Sequence, residues 1–242
     1  MTRLFLDETI QSAKIVHLTG EKAHYLSHVL RCRAHDTLIV TDGSGASYSA
    51  KISAITKKQT SLAITGPFRQ DNESPFDVIL LQGLLKGEKM ELVIQKATEL
   101  GVTEIAPMIT ERSQVRETRK LQRWQKIAEE ASRQCGRNKI PLIREPDVFE
   151  TTIASQGLNK GIICWEKEGV PFSAAVDEFK GENKIVLCIG PEGGFSEKEI
   201  RTAACRGYTV ASLGKRILRA ETAAIVSISI AQFVLGDLSG RE

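Results

Sequence analysis

The spacing of apolar and polar positions changes character near residue 70. Up to there, short strand-like segments follow one another at 3–6, 37–41, 47–55 and 60–65. Their separators, Asp42-Gly43-Ser44-Gly45 and Lys57-Lys58-Gln59, carry turn-forming residues. Tyr48, Ala50, Ile52 and Ala54 alternate with polar neighbours, the period expected of a strand with one buried face. Thr19 stands where a helix N-cap would, ahead of Ala23, Leu26, Val29 and Leu30, which helical spacing gathers on one side. So many short strands in so short a stretch predict a small β module, with a barrel as its natural architecture.

The segment GPFRQDNESP (66–75) is polar and turn-rich and predicts a linker between a first domain, 1–70, and a second, 71–242. Beyond it strands alternate with helices, the mark of an α/β fold built on a parallel sheet. Strands are predicted at 77–82, 104–109, 161–165, 185–189 and 209–213. The run 185–189 is β-branched and apolar without interruption, so it predicts a strand buried on both faces. Helices follow from the spacing of Met90, Val93, Ile94, Ala97 and Leu100, stopped by Gly101, and of Trp124, Ile127, Ala128, Ala131 and Cys135. Further helices are predicted near 148–156 and 172–179, and after Ser196, which with Glu199 forms a capping box. The last helix, 223–235, is almost wholly apolar or small and carries no charge, so it must be covered on more than one side. Burial within one subunit and packing of paired helices in a dimer both satisfy that demand.

Two loops interrupt this pattern at the C-terminal ends of two strands expected to be neighbours, where open α/β sheets place ligands. One is Gly190-Pro191-Glu192-Gly193-Gly194; the other runs from Leu213-Gly214 through Ile217-Leu218-Arg219-Ala220-Glu221. A glycine turn can be no more than a connection, but two of them, one holding Arg219 and Glu221, indicate a site. Neither fits GxGxxG or GxxxxGK[ST], so a dinucleotide fold and a P-loop are both unsupported.

The stretches IGPEGGFSEKE (189–199) and LGKRILRAETA (213–223) resemble the RsmE family of the SPOUT methyltransferase superfamily. Lys96-Ala97-Thr98-Glu99-Leu100-Gly101-Val102, Glu111-Arg112-Ser113, Gln134 with Arg137 and Pro141, and Arg3 with His24 and Val29-Leu30-Arg31 extend the resemblance over nearly the whole chain. It implies a SPOUT-type parallel sheet with a C-terminal trefoil knot, preceded by a PUA-like, RNA-binding β-barrel. It implies a homodimer that uses S-adenosylmethionine to methylate the 3-position nitrogen of a uridine in 16S rRNA, the RNA of the small ribosomal subunit. Methylation of a ribose hydroxyl or another base, and RNA binding without chemistry, are the competing readings.

Charge and cysteine content narrow this only slightly. With 33 basic and 30 acidic residues the net charge is +3, so any basic surface must come from clustering. Five cysteines without a C-x-x-C suggest neither a disulfide framework nor a zinc site, and no metal is expected. No apolar run reaches membrane-spanning length and the N-terminus lacks a signal-like segment, so a cytoplasmic location is expected.

Methyl transfer from a sulfonium is an in-line displacement, so catalysis should rest on positioning and charge placement. Negative charge develops on the carbonyl oxygens beside the uridine nitrogen, and a guanidinium there stabilises the anion more than the neutral base. Arg219 is the first candidate for that role; pairing with Glu221 or Glu192 to hold the loops is its alternative. Glu192 is placed to bind the cofactor or the base, or to cap backbone amides. The cofactor's adenine would need backbone hydrogen bonds and apolar cover, which Gly190, Leu213, Gly214, Ile217 and Leu218 can supply beside Gly193, with a third loop contributed at Trp165-Glu166. Cys188, inside an apolar strand, and Cys205, on a helix, are poorly placed for a thiolate nucleophile. Arg3, Arg31, Arg33, Lys86, Lys89, Arg112, Arg116, Arg133 and Arg137 are the basic residues that the resemblance assigns to RNA.

Overall fold

The computed structural model describes residues 2–10, 14–56, 58–70, 72–155 and 160–240; Lys57 of one expected turn and Gln156 of one expected helix lie outside them. The chain divides into two compact units, Met1–Glu73 with Ser132–Lys139 and Ser74–Ala131 with Ile140–Glu242.

In the first unit, β1 (Arg3–Phe5), β2 (Ile15–Thr19), β3 (Thr37–Thr41), β4 (Ser47–Ile55) and β5 (Gln59–Pro67) pair in the order β1-β3-β4-β5-β2. The β1–β3 ladder is parallel and the others are antiparallel, with β1 and β2 as edges among the described residues. Leu4, Leu18, Leu26, Leu38, Val40, Ala50, Ile52 and Leu62 fill the core beneath this sheet. Each fully buried Leu, Ile or Val side chain contributes about 1.5–3 kcal/mol relative to an exposed one. Strand β2 escaped the sequence reading because of its five residues only Leu18 is buried. Ala54 does not join the buried face of β4, since a register shift between Ile52 and Ala54 turns it outward.

Thr19 precedes α1 (Gly20–His24) as expected, but its side chain makes no capping bond, and the helix passes directly into a π-helical turn at Tyr25–Val29. There the Leu30 amide reaches back to the Tyr25 carbonyl at 2.9 Å. A π turn advances each residue less far around the axis than an α turn. Ala23 and Leu26 therefore point inward while Val29 and Leu30 rotate out to solvent. Arg31, which follows, takes the left-handed conformation at φ 52.

The second unit is built on β6 (Asp77–Gly83), β7 (Glu104–Ile109), β8 (Leu142–Ile143), β9 (Asp147–Val148), β10 (Gly161–Cys164), β11 (Val170–Pro171), β12 (Lys184–Ile189) and β13 (Tyr208–Ser212). Helices α2 (Lys89–Glu99), α3 (Leu121–Cys135, of which Ser132–Cys135 belong to the first unit), α4 (Phe149–Ser155), α5 (Phe172–Asp177), α6 (Glu197–Cys205) and α7 (Ala220–Val234) alternate with them. Every ladder is parallel and the order is β11-β13-β10-β12-β6-β7-β8, with β9 also on β7. The continuous apolar run of β12 is explained by burial on both faces. Ile185, Leu187 and Ile189 enter one core cluster, and Val186 and Cys188 enter the other.

One expectation needs correction. The two glycine loops do not follow neighbouring strands, because β10 lies between β12 and β13. The loop after β10, which begins at Trp165, is thereby placed between the other two. Periodicity reports which faces are buried and carries no information on lateral order. In α7, Ala220, Ala224, Ser227, Ile228, Ala231 and Gln232 form the buried stripe, whereas Phe233 is 60% exposed.

Candidate active site

At the C-terminal ends of β10, β12 and β13 the second unit forms a cleft of about 470 Å³. Its walls are the 189–195 turn, the 212–223 segment and Cys164-Trp165-Glu166. Local sequence dictates each wall. After β12 the chain reverses at Pro191, with the Gly194 amide bonded to the Pro191 carbonyl at 2.9 Å and Gly194 at φ 67. Helix α6 then starts on the expected capping box: the Glu199 amide donates to Ser196 Oγ at 3.3 Å and the Ser196 amide to Glu199 Oε2 at 2.8 Å.

Two residues that the sequence reading passed over hold this turn. Gln82, fully buried at the end of β6, donates from Nε2 to the Gly190 carbonyl at 3.3 Å. Gly83 beside it has no room for a side chain, since a Cβ there would lie 2.4 Å from the Pro191 nitrogen. The available signal was a polar residue and a glycine closing an otherwise apolar strand. Glu199 was legible as a capping residue but not as a cross-link: its Oε1 also accepts the Glu111 amide at 2.8 Å.

Glu192 occupies the middle of the turn. Its Oε1 accepts from the Lys86 amide and from Lys89 Nζ, both at 3.1 Å. Partial burial pushes the carboxyl up, but its own amide, the Lys86 amide and the Lys89 ammonium outweigh burial and hold it below the usual carboxylate range. Lys89, which the resemblance assigns to RNA, is the ion-pair partner of Glu192 and lines the cleft.

Arg219 is exposed and precedes α7 as its N-cap residue. No hydrogen bond or ion pair ties its side chain to another described residue, so it does not staple the loops through Glu192 or Glu221. Its guanidinium is available to whatever enters the cleft. Trp165, Gly190, Glu192, Gly193, Leu213, Gly214, Ile217, Leu218 and Arg219, expected at the site from sequence, all line this one cleft. Ile217 is 81% exposed, an apolar side chain set at its rim. The cysteines here are unsuited to nucleophilic work: burial pushes the Cys164 thiol up to about 12, and Cys188 upward as well.

The wall chemistry fits a ligand with apolar and hydrogen-bonding parts. Trp165 Nε1, Glu192 Oε2 and Glu221 Oε2 are buried polar atoms without a partner among the described residues, and all three residues line the cleft. Such atoms are costly unless a ligand supplies the missing bonds. Among the described residues no group of His, Cys, Asp and Glu could hold a metal ion, and no helix is long and apolar enough to cross a membrane.

The remaining basic candidates divide by exposure. In the second unit Lys86, Arg112 and Arg116 are exposed; Arg112 Nη1 donates to the Gly193 carbonyl at 3.3 Å, and Arg116 Nη2 to the Glu111 carbonyl at 2.9 Å. In the first unit Arg31 and Arg33 are exposed, and the Arg133 guanidinium lies 4.5 Å from the centre of the Tyr25 ring. Arg3 and Arg137 differ from these in being buried. They are 5% and 3% exposed, Arg3 bonded to Asn138 and Thr41, and Arg137 paired with Glu73 at 2.7 Å. Both arginines organise the interior of their own unit.

The family model of the RNA methyltransferase domain matches residues 72–232, and that of the RNA methyltransferase PUA domain matches residues 18–64. Ribosomal RNA small subunit methyltransferase E of Buchnera aphidicola subsp. Acyrthosiphon pisum is 34% identical, over 97% of this chain and 94% of its own. The Bacillus subtilis protein of the same name is 31% identical over 100% of both chains. Among solved structures, the Neisseria gonorrhoeae ribosomal RNA small subunit methyltransferase E bound to S-adenosyl methionine superposes with a TM-score of 0.91 at 33% identity. That similarity covers 98% of this chain and 99% of the other. A Legionella pneumophila putative methyltransferase in complex with the same cofactor gives 0.88 at 34% identity, with the same coverage.

Proposed function

This chain belongs to the ribosomal RNA small subunit methyltransferase E family, and from that membership we propose that it methylates 16S rRNA with S-adenosylmethionine, at the 3-position nitrogen of a uridine. The observation that carries the reading is the cleft itself. Three loops from adjacent parallel strands meet around buried polar atoms that lack partners among the described residues, beside an arginine whose side chain is bonded to none of them.

S-adenosylmethionine, when bound, supplies an electrophilic methyl group on a positively charged sulfur. The 190–194 turn and Leu213-Gly214 would hold its polar edges from the cleft wall, and Leu213, Ile217 and Leu218 would cover its apolar surface. Glu192, held anionic against partial burial by its own and the Lys86 backbone amides and then by Lys89, is a hydrogen-bond acceptor in the same cleft. Arg219, in the same cleft, would stabilise the uridine anion with its charge as the ring proton leaves. No covalent enzyme intermediate is required, consistent with the raised cysteine thiols.

RNA is held through exposed basic residues. In the first unit these are Arg31 and Arg33, the former fixed in a left-handed conformation that a non-glycine residue adopts at a cost. The strand order is compatible with a C-terminal trefoil knot, because β12 enters the sheet between β10 and β6, both earlier in the chain. A homodimer formed through α7 accounts for the exposed Phe233 on a helix without interior charge. The substrate assigns the protein to the cytoplasm, where ribosomes are assembled.

Nucleoside mass spectrometry of 16S rRNA from a strain lacking this protein tests the assignment. Selective loss of 3-methyluridine, restored by the wild-type chain and not by Arg219→Ala, is the expected result. Loss of a ribose methyl group or of a different methylated base would move the acceptor and overturn the ring-nitrogen assignment.

A further inference from the structure

Glu221 sits in the first turn of α7, two residues beyond Arg219, and lines the cleft. A carboxylate in a first turn is favoured by the helix dipole alone, and that reading needs nothing more than solvent around it. The structure shows something different. Glu221 Oε2 is buried and has no hydrogen-bond partner, and no ion pair reaches the side chain from another described residue. Glu192, across the same cleft, is compensated by Lys89. Trp165, 7% exposed and with an unpartnered Nε1, also lines the space. A buried carboxylate oxygen without a counter-charge is costly to maintain, and the cost is removed when a cation occupies the cleft.

Resting on the methyltransferase reading above, we propose that Glu221 is the counter-ion of the donor's sulfonium and makes the cleft discriminate donor from spent product. In the reaction the S–CH3 bond breaks and its electron pair remains on sulfur, while a new N–CH3 bond forms and the ring proton leaves. Sulfur passes from a positive charge to neutrality. S-adenosylhomocysteine keeps the adenosine, ammonium and carboxylate groups of the donor and lacks only the methyl and the charge. A carboxylate that answers the sulfonium therefore holds the donor before transfer and releases its grip afterwards. Glu221 acts here as a specificity residue, separate from the role given to Arg219.

Isothermal titration calorimetry of the full-length protein with S-adenosylmethionine and with S-adenosylhomocysteine, without RNA, tests this directly. Glu221→Gln keeps size and one acceptor oxygen while removing charge. It should weaken donor binding roughly tenfold and leave product binding within about twofold, the size of one lost charge-assisted bond. Glu221→Asp, which keeps the charge, should retain most of the wild-type preference. Glu197→Gln, on the exposed side of α6 and outside the cleft, should leave the ratio unchanged. Equal weakening of both ligands would place Glu221 on the shared ammonium and overturn the proposal. Unchanged affinity for both ligands would overturn it too. Failure of the wild-type protein to bind either nucleoside would instead sink the underlying methyltransferase reading.

Discussion

The carboxylate of Glu199, on the first turn of α6, accepts the backbone amide of Glu111 at 2.8 Å across 88 residues of sequence. The same group caps its own helix through the Ser196 amide. One buried side chain thus binds the segment after β7 to the segment after β12, and Arg112, next to Glu111, lies against Gly193. The cleft's turn is braced from behind by a residue that never enters the cleft.

Removing that brace should cost both stability and affinity. Glu199→Ala leaves two amides without their acceptor, and the expected loss is about 2–4 kcal/mol of unfolding free energy. Urea denaturation checks the stability, and calorimetry should show weaker S-adenosylmethionine binding at a temperature where the variant remains folded.

Glu192 and Lys89 predict a pH dependence with a definite sign. Because the folded carboxyl titrates below its unfolded counterpart, its contribution is complete above the ordinary carboxylate pKa. It is lost as the pH falls through the lowered value. Lys89→Met removes one cause of the lowering. Lys89 is 40% exposed, so solvent screens the pair, and the expected loss at neutral pH is at most about 1 kcal/mol. Denaturation midpoints of wild type and variant should converge in acid, where Glu192 is protonated in both. A difference that persists undiminished in acid would assign the effect to packing of the lysine stem.

Arg219 is expected to act on the transition state more than on binding. Arg219→Ala should lower kcat at saturating substrates by roughly 10²–10³-fold and leave the donor Kd nearly unchanged. Single-turnover methylation of rRNA with radiolabelled donor separates the two quantities. A variant with near-normal turnover would exclude the catalytic role.

The two glycine loops should fail for different reasons when filled. At Gly193 a Cβ would lie 2.9 Å from Arg112 Cβ, so Gly193→Val pushes the turn away from its support. At Gly214 nothing lies within 4 Å of a Cβ, but φ is 111, which a β-branched residue adopts only under strain. Both substitutions should abolish measurable cofactor binding while circular dichroism remains native. Gly214→Ala should be the milder change, since strain without branching is all that it adds.

Much of this molecule was legible along the chain because its determinants are local. The period of two in β4, the unbroken apolar run of β12, the helical spacing through α2 and the capping box at Ser196 each reflect contacts within a few residues. The two loops that wall the cleft were legible for the same reason, since a glycine turn between a strand and a helix is written in consecutive residues. Where local geometry broke its own rule, the pattern misled. The π turn after α1 rotated Val29 and Leu30 outward, and the bulge in β4 did the same to Ala54.

The tertiary structure alone decided what stands beside what. Sequence established that 185–189 is a two-faced strand followed by a glycine turn, that a second such loop closes on Arg219, and that a small β module precedes them. It could not place β10 between β12 and β13, join Gln82 to Gly190, or turn Arg3 and Arg137 inward while Arg31 and Arg33 face solvent. Nor could it pair Lys89 with Glu192 and leave Glu221 without a counter-charge. Periodicity encodes which side of an element avoids water, a one-dimensional property. Charge compensation and strand order depend on distances between residues far apart in the chain, and those exist only once the sheet has formed.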